Sequence, residues 1–319
     1  MAFFLGVDAG GTKAEFVLGD DRRELGRAVT GTIQRMRTDA ASAEANLQDA
    51  LRSLTAATGV SMLAVRRCCI GTSGNTVEMV VNWLRQAFGR CVGGELTVAG
   101  DVDIALDSAF KGRRGVLVLA GTGSNVAGRA ADGTIVTAGG WGPVMADQGS
   151  GNFLGREGLR HGFLAIDQQR PSRLLDAAKS HWNLTSMSDL IEHANANPAP
   201  NYSELAPLVA ECAAQGDIVA QEVLQQGGAD LAYLAGLVIE RIRSLEADVE
   251  ASPEAITEWP FAPPPVAVAG SILAHVAPVR RALERSLRER YAAIEFQPDP
   301  ADPPLGALWR ARQATAEAP

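Results

Sequence analysis

The hydrophobic pattern of the first hundred residues switches repeatedly between two periods. Apolar runs with strand character occupy residues 3–7, 15–18, 64–70 and 96–99. Between them the apolar positions recur every three or four residues: Ala43, Leu47, Ala50, Leu51 and Leu54 within 40–57, then Val80, Val81 and Leu84 within 77–88. Strands alternating with helices predict a mostly parallel sheet, with an antiparallel hairpin at its start. At Gly115 the pattern restarts, as expected for a second domain on the same plan. Its middle predicts helices over 152–163, 172–181, 186–194, 202–214 and about 217–245. A strand at 266–269, a helix at 278–291, a short strand at 294–296 and a final helix from 305 follow. Pro253, Pro260 and Pro263 to Pro265 predict a surface loop over 252–265, and the tail from Ala314 is expected to fray. The expected fold is α/β with two domains, 1–114 and 115–304. The helix at 305–316 is expected to pack back on the first.

Composition narrows the class without naming a chemistry. The chain has 319 residues, 46% hydrophobic and 21% charged, the profile of an ordinary globular protein. A net charge of -8 argues against a nucleic-acid or anionic-membrane surface. Arg280 to Arg290 is interrupted by Glu284 and Glu289, the pattern of a solvated helix face. Cys68, Cys69, Cys91 and Cys212 form no CxxC pair, so neither a disulfide framework nor a zinc site is expected. His161, His181, His193 and His275 have no metal-ligand spacing and read as ordinary helix or surface residues. No signal peptide is read at 1–7, and the longest apolar stretch, 231–239, is too short to span a bilayer. A cytoplasmic protein is expected.

Two segments look like copies of one device: LGVDAGGTKAEFVL at 5–18 and VLVLAGTGSNVAGR at 116–129. Aligning Ala9 with Ala120 sets Gly10 on Gly121, Gly11 on Thr122 and Lys13 on Ser124. Neither segment is a dinucleotide fingerprint or a P-loop, because β alternation rather than a helix follows each turn. A glycine-rich hairpin tip lets backbone N–H groups and small hydroxyls approach a phosphate. Each turn alone could be an ordinary hairpin. Facing each other, the two would hold a nucleotide phosphate chain, which points to phosphoryl transfer.

That chemistry needs a phosphate cradle, Mg²⁺, a base for the acceptor hydroxyl and a pocket that excludes water. Asp8 ends the first strand at the mouth of the first glycine turn; it either holds Mg²⁺ through water or caps its own turn. Lys13 either touches a phosphate or points outward. Asp101 follows the strand at 96–99, at the edge where open α/β sheets bind ligands; it is a candidate base, or a cap for the helix near Asp103. The segment 139–151 is crowded with glycine and carries Trp141, Asp147 and Gln148, groups suited to a sugar ring and its hydroxyls. Gly71 to Asn75 is a polar turn that either contacts ligand or caps a helix through Asn75. Gly270-Ser271 fits a strand end against adenine or ribose, with Ser271 as an alternative helix cap.

Together these residues resemble the N-acetylglucosamine kinase branch of the BadF/BadG/BcrA/BcrD ATPase family, within the actin-like ATPase superfamily. The resemblance runs nearly the full length and rests on DAGGTK (8–13), AGTGSN (120–125), GGWGPVMADQGS (139–150) and VAGSI (268–272). It implies two actin-like, ribonuclease H-like domains, each a mixed five-stranded sheet flanked by helices, with an active-site cleft between them that closes on ATP and an amino sugar. It further implies Asp8 on Mg²⁺, with Asp101 as the base and a second metal contact. Thr122, Gly140, Trp141, Asp147, Gln148, Asn75 and Arg35 are then expected at the sugar. Gly10, Gly11, Thr12, Lys13, Gly121, Gly123, Ser124, Gly270 and Ser271 are expected around the nucleotide. The implied reaction is ATP-dependent phosphorylation of the 6-hydroxyl of N-acetylglucosamine or glucosamine, and relatives suggest a homodimer.

Three departures stand out. Gln148 replaces a Glu common in relatives. The turn 32–36 lacks the Asn that relatives place at the sugar, and Arg35 there could favour a carboxylated substrate. The proline loop is longer than the core requires. Two rival functions also fit the superfamily. Activators of 2-hydroxyacyl-CoA dehydratases need cysteines in glycine-rich turns to bridge an iron–sulfur cluster, whereas Cys68 and Cys69 lie in a strand-like run. A non-catalytic sugar sensor is expected to add a DNA-binding helix-turn-helix, and none is read in this acidic sequence.

Overall fold

The computed structural model describes residues 1–250 and 261–313. The expected loop at 252–265 therefore lies outside the described residues up to 260, as do the tail from 314 and the last three residues of the helix expected at 305–316. In chain order the elements are β1 (Phe3–Ala9), β2 (Lys13–Gly19), β3 (Glu24–Gly31), α1 (Ala40–Thr58), β4 (Val65–Gly71), α2 (Glu78–Gly89), β5 (Glu95–Ala99) and α3 (Asp101–Phe110). They continue with β6 (Gly115–Ala120), β7 (Ser124–Arg129), β8 (Ile135–Gly139), α4 (Gly151–Asp167), α5 (Leu174–His181), α6 (Met187–Ala194), α7 (Ala206–Ala214) and α8 (Ile218–Glu250). The last are β9 (Val266–Ala269), α9 (Ser271–His275), α10 (Ala277–Arg290) and α11 (Pro303–Arg312). The chain divides into two compact units, one from residues 1–113 with the C-terminal segment from 301, the other from residues 114–300.

The first unit carries a five-stranded sheet in the order β3-β2-β1-β4-β5. Its first three strands are antiparallel neighbours, and β4 and β5 run parallel to β1. Leu5, Val7, Ala14, Phe16 and Leu18 bury one face against α1 and α2. Phe4, Val17 and Cys69 bury the other with Ile104 of α3 and Ala307 and Leu308 of α11. Gly6 makes that second layer possible: a Cβ there would stand 2.3 Å from the Leu308 backbone nitrogen. Ion pairing fastens the same helix, with Arg310 of α11 on the buried Asp107 of α3. β3 lies outside the runs whose pattern predicts strands, because Gly26 and Gly31 interrupt a weakly apolar run. It forms because the edge of β2 offers it a ladder of hydrogen-bond partners.

The second unit's sheet runs β8-β7-β6-β9, with β9 parallel to β6. It has four strands rather than the expected five. The stretch at 294–296 makes a single bridge, Phe296 beside Val266, before Pro298 and Pro300 withdraw the N–H groups a longer ladder needs. The long helix α8 contributes Leu231, Leu234, Ala235, Val238, Ile239 and Ile242 to the core over this sheet. A smaller cluster around Leu159, Leu175, Leu190 and Leu205 ties the inserted helices α4 to α7 together. Among the described residues no helix is long and apolar enough to cross a membrane.

Candidate active site

In the first unit one row of the sheet sets the geometry. Asp8 on β1 lies opposite Gly71 on β4, and Gly71 lies opposite Ala99 on β5, so the row ends two residues before Asp101. Asp101 is the first residue of α3, and Gly100 occupies the cap position. Asp103 takes over the capping work, accepting the Gly100 N–H at 3.2 Å. The Asp101 carboxylate is left with its neighbour's Val102 N–H at 2.8 Å, so it is not the cap. Burial pushes its carboxyl above the ordinary range despite that bond. Asp8 is pushed further, to about 7, by burial first and then by the negative charges of Asp101 and Glu15. Its carboxylate makes no hydrogen bond among the described residues, which sets aside the self-capped turn.

The remaining candidates of this unit divide. Asn75 lies beside Asp101's helix start, its Nδ2 3.5 Å from where a Cβ on Gly100 would stand. It caps nothing, since α2 opens after Val77. Gly11 and Thr12 are exposed at the tip of the first hairpin. Lys13 is exposed too, and its ammonium pairs with Glu15. Arg35 turns back to donate to the Thr38 carbonyl. Sequence reasoning passed over Gln34, which is buried and donates to Ser73 Oγ at 2.5 Å. Its signal was the position itself, within the turn already singled out at 32–36.

The second unit repeats the hairpin with one residue fewer. Ala9 pairs with Ala14 across Gly10 to Lys13, whereas Ala120 pairs with Ser124 across Gly121 to Gly123. The alignment of Lys13 with Ser124 is therefore off by one, because the first turn needs an extra residue to close. Gly151 and Asn152, at the start of α4, donate their N–H groups to the carbonyls of Gly121 and Thr122 at 2.7 and 3.1 Å. Ser124 is buried, and its hydroxyl is committed to the Gln148 carbonyl at 2.8 Å, tying the glycine loop to the hairpin. Asp147 reaches the turn in a left-handed conformation, φ 68°. Its Oδ2 would lie 2.9 Å from a Cβ on Gly123. Burial raises its carboxyl, against the pull of the Ser124 and Gly142 backbone groups. Gly140 sits over the Asn125 amide. The buried oxygens Asn125 Oδ1 and Gln148 Oε1 have no hydrogen-bond partner, so both are acceptors open to a hydroxyl donor. Trp141 stands 79% exposed, with Val144 and Met145 beside it equally uncovered.

β9 brings Gly270 against the same hairpin. Its φ is 89°, and a Cβ would stand 2.3 Å from the Ala120 carbonyl oxygen. Ser271 begins α9 without capping it. Next to them opens a cavity of about 350 Å³ lined by Gly121, Thr122, Gly151 and Ser271. Ala206, Pro207 and Ala210 on one flank and Ile272 and Val276 on the other make it a largely apolar slot, with Ser203 and His275 as polar members. The slot was not legible in the sequence, since α7 belongs to the helical insertion and carries no motif. His275, expected to be an ordinary helix residue, lines it.

The residues present fit Mg²⁺. Asp8 and Asp101 are two carboxylates that burial pushes above the ordinary range, a shift that a bound cation would oppose; Lys13, which pulls Asp8 down, is paired with Glu15. Mg²⁺ keeps most of its water and needs only one or two such groups besides the phosphates. No cluster of three or more metal-ligating side chains occurs among the described residues. Cys68 and Cys69 are buried in β4 with thiols pushed up by burial, Cys69 to about 12, which suits core residues rather than cluster ligands.

Comparison with known proteins agrees over nearly the whole chain. The model of the BadF/BadG/BcrA/BcrD ATPase family matches residues 5–310. An N-acetyl-D-glucosamine kinase of Dictyostelium discoideum is 28% identical over 256 residues, 75% of this chain and 80% of that protein. An N-acetylmuramic acid/N-acetylglucosamine kinase of Clostridium acetobutylicum is 24% identical over 247 residues, with the same two coverages of 75% and 80%. A solved structure from Chromobacterium violaceum, provisionally named an N-acetylglucosamine kinase, superposes with a TM-score of 0.71 at 26% identity, over 98% of this chain and 99% of that one.

Proposed function

The chain belongs to the BadF/BadG/BcrA/BcrD ATPase family, and from that premise we propose that it is a kinase transferring the γ-phosphoryl group of ATP to the 6-hydroxyl of an amino sugar, N-acetylglucosamine or glucosamine. Its fold is that of the actin-like sugar kinases, and its named relatives act on such sugars. The observation that carries the reading is the pair Asp8 and Asp101, gathered at the carboxyl edge of one sheet, where the charge of Asp101 helps push the Asp8 carboxyl up.

Asp101 would accept the proton of the hydroxyl as its oxygen bonds to the γ-phosphorus and the bond to ADP breaks. A carboxyl raised by burial is a stronger base than a surface carboxylate and suits that task. Mg²⁺ held by Asp8 and Asp101 would neutralise phosphate charge. In the second unit Gly121 to Gly123 and Gly270 would border the nucleotide, with the base in the apolar slot. Thr122, Gly140 and Asp147 would meet the sugar, and the open oxygens of Asn125 and Gln148 would take its hydroxyl protons.

The test is ATP- and Mg²⁺-dependent phosphorylation across N-acetylglucosamine, glucosamine, N-acetylmuramic acid, N-acetylmannosamine and glucose. Turnover of an amino sugar that falls by about 10²–10⁴ in Asp101→Asn is expected. Well-folded protein that releases no ADP in response to any of these sugars would sink the reading.

A further inference from the structure

The segment 32–37 is moored to the first glycine turn. The Thr32 hydroxyl donates to the Gly10 carbonyl at 2.7 Å, and the buried Gln34 holds the segment from beneath through Ser73. The mooring sets Arg37 against Gly11, with Nε and Cγ 3.7 and 3.9 Å from where a Cβ on that glycine would stand. The stem is therefore held at the turn while the residue as a whole remains exposed. The other charges nearby are spent: Lys13 pairs with Glu15, and Arg35 donates to Thr38. The Arg37 guanidinium has no hydrogen-bond or ion-pair partner among the described residues.

An unpaired guanidinium whose stem lies beside the bare backbone of Gly11 can receive an oxyanion. Its planar fork offers five N–H donors and keeps its charge at every working pH. We propose that Arg37 reads an oxyanion of the bound reactants, either a phosphate oxygen of the nucleotide or a carboxylate carried by the sugar. The proposal rests on the kinase reading, and it departs from the expectation that Arg35 does this work.

The experiment compares wild type, Arg37→Ala, Arg37→Lys and the exposed control Arg85→Ala, each with N-acetylglucosamine and with N-acetylmuramic acid, which adds a carboxylate. Loss of a charge-assisted contact is expected to lower kcat/KM about tenfold to a hundredfold in Arg37→Ala, with partial recovery in Arg37→Lys and none lost in the control. A fall with both sugars, together with weaker MgATP binding by calorimetry, assigns the oxyanion to the nucleotide. A fall confined to N-acetylmuramic acid, with MgATP binding unchanged, assigns it to the sugar. Arg37→Ala within twofold of wild type on every substrate overturns the proposal. If wild type turns over no sugar, the kinase reading fails separately, and equal MgATP affinities in wild type and Arg37→Ala then overturn this proposal as well.

Discussion

Gly270 offers the most direct test of the proposal that the second unit borders the nucleotide. Its φ of 89° and ψ of 157° lie in a region essentially reserved for glycine. An added Cβ would meet the Ala120 carbonyl oxygen at 2.3 Å, its carbon at 2.5 Å and the Gly121 nitrogen at 2.9 Å. All three are backbone atoms, so no side chain can swing aside. A carbon and a carbonyl oxygen rest near 3.3–3.6 Å even in close contacts, so the β6–β7 turn must retreat by about 1 Å. In Gly270→Ala the backbone strain alone costs about 1–3 kcal/mol. For a unit of this size that corresponds to a fall of about 2–12 °C in its melting temperature. The functional cost should be larger, since a displacement of about 1 Å at a positioning element can lower rate about a hundredfold. The assay is thermal unfolding beside steady-state kinetics in which ATP and sugar are varied separately. The expected result is a lower melting temperature and a raised KM for ATP, with the larger kinetic effect on the ATP side. A variant that melts like wild type and keeps its KM for ATP within twofold would refute the placement of this strand end at the nucleotide.

Other perturbations separate the remaining roles. Ala210→Phe should fill much of the 350 Å³ slot and raise KM for ATP by about tenfold or more, while an unchanged KM would exclude the slot as the base site. Removing the Arg310 side chain would take one ion-pair partner from the buried Asp107, costing about 1–3 kcal/mol of first-unit stability in urea unfolding; Arg310→Ala at wild-type stability would contradict that account of α11. Asp217 resists burial, which raises its carboxyl, by accepting the Arg173 and Ala220 N–H groups and the Ser172 hydroxyl, and the net shift is downward. A depressed folded pKa means stability present above the unfolded value near 3.9 and lost as pH falls through the folded one. Asp217→Asn should therefore be less stable than wild type by a constant margin from pH 8 to 5, narrowing only below about pH 4. A margin already gone at pH 6 would refute this.

How much was legible follows from the kind of signal each feature carries. The β1–β2 hairpin, α1 and α2 were visible because their apolar spacing repeats over several residues and is answered by burial of Leu47, Leu54, Val80 and Leu84. β3 was not, since an edge strand rich in glycine owes its form to the neighbour it pairs with. Asp101 was visible as a carboxylate at a strand end, but its freedom from capping was not, because that depends on Asp103 reaching back to Gly100. Arg35 and Arg37 look alike in sequence; only the fold of the turn pairs one internally and leaves the other over Gly11.

The alternation of strands and helices, the restart at Gly115 and the two glycine turns are written in local patterns of residue size and polarity. Tertiary structure decided what lies across from them. It set α11 on the bare backbone of Gly6, brought Asp147 to Gly123 and formed the slot between the flanks at Ala206–Ala210 and Ile272–Val276. Close approach and burial arise between residues far apart in the chain, so the spacing of residues along it cannot reveal them.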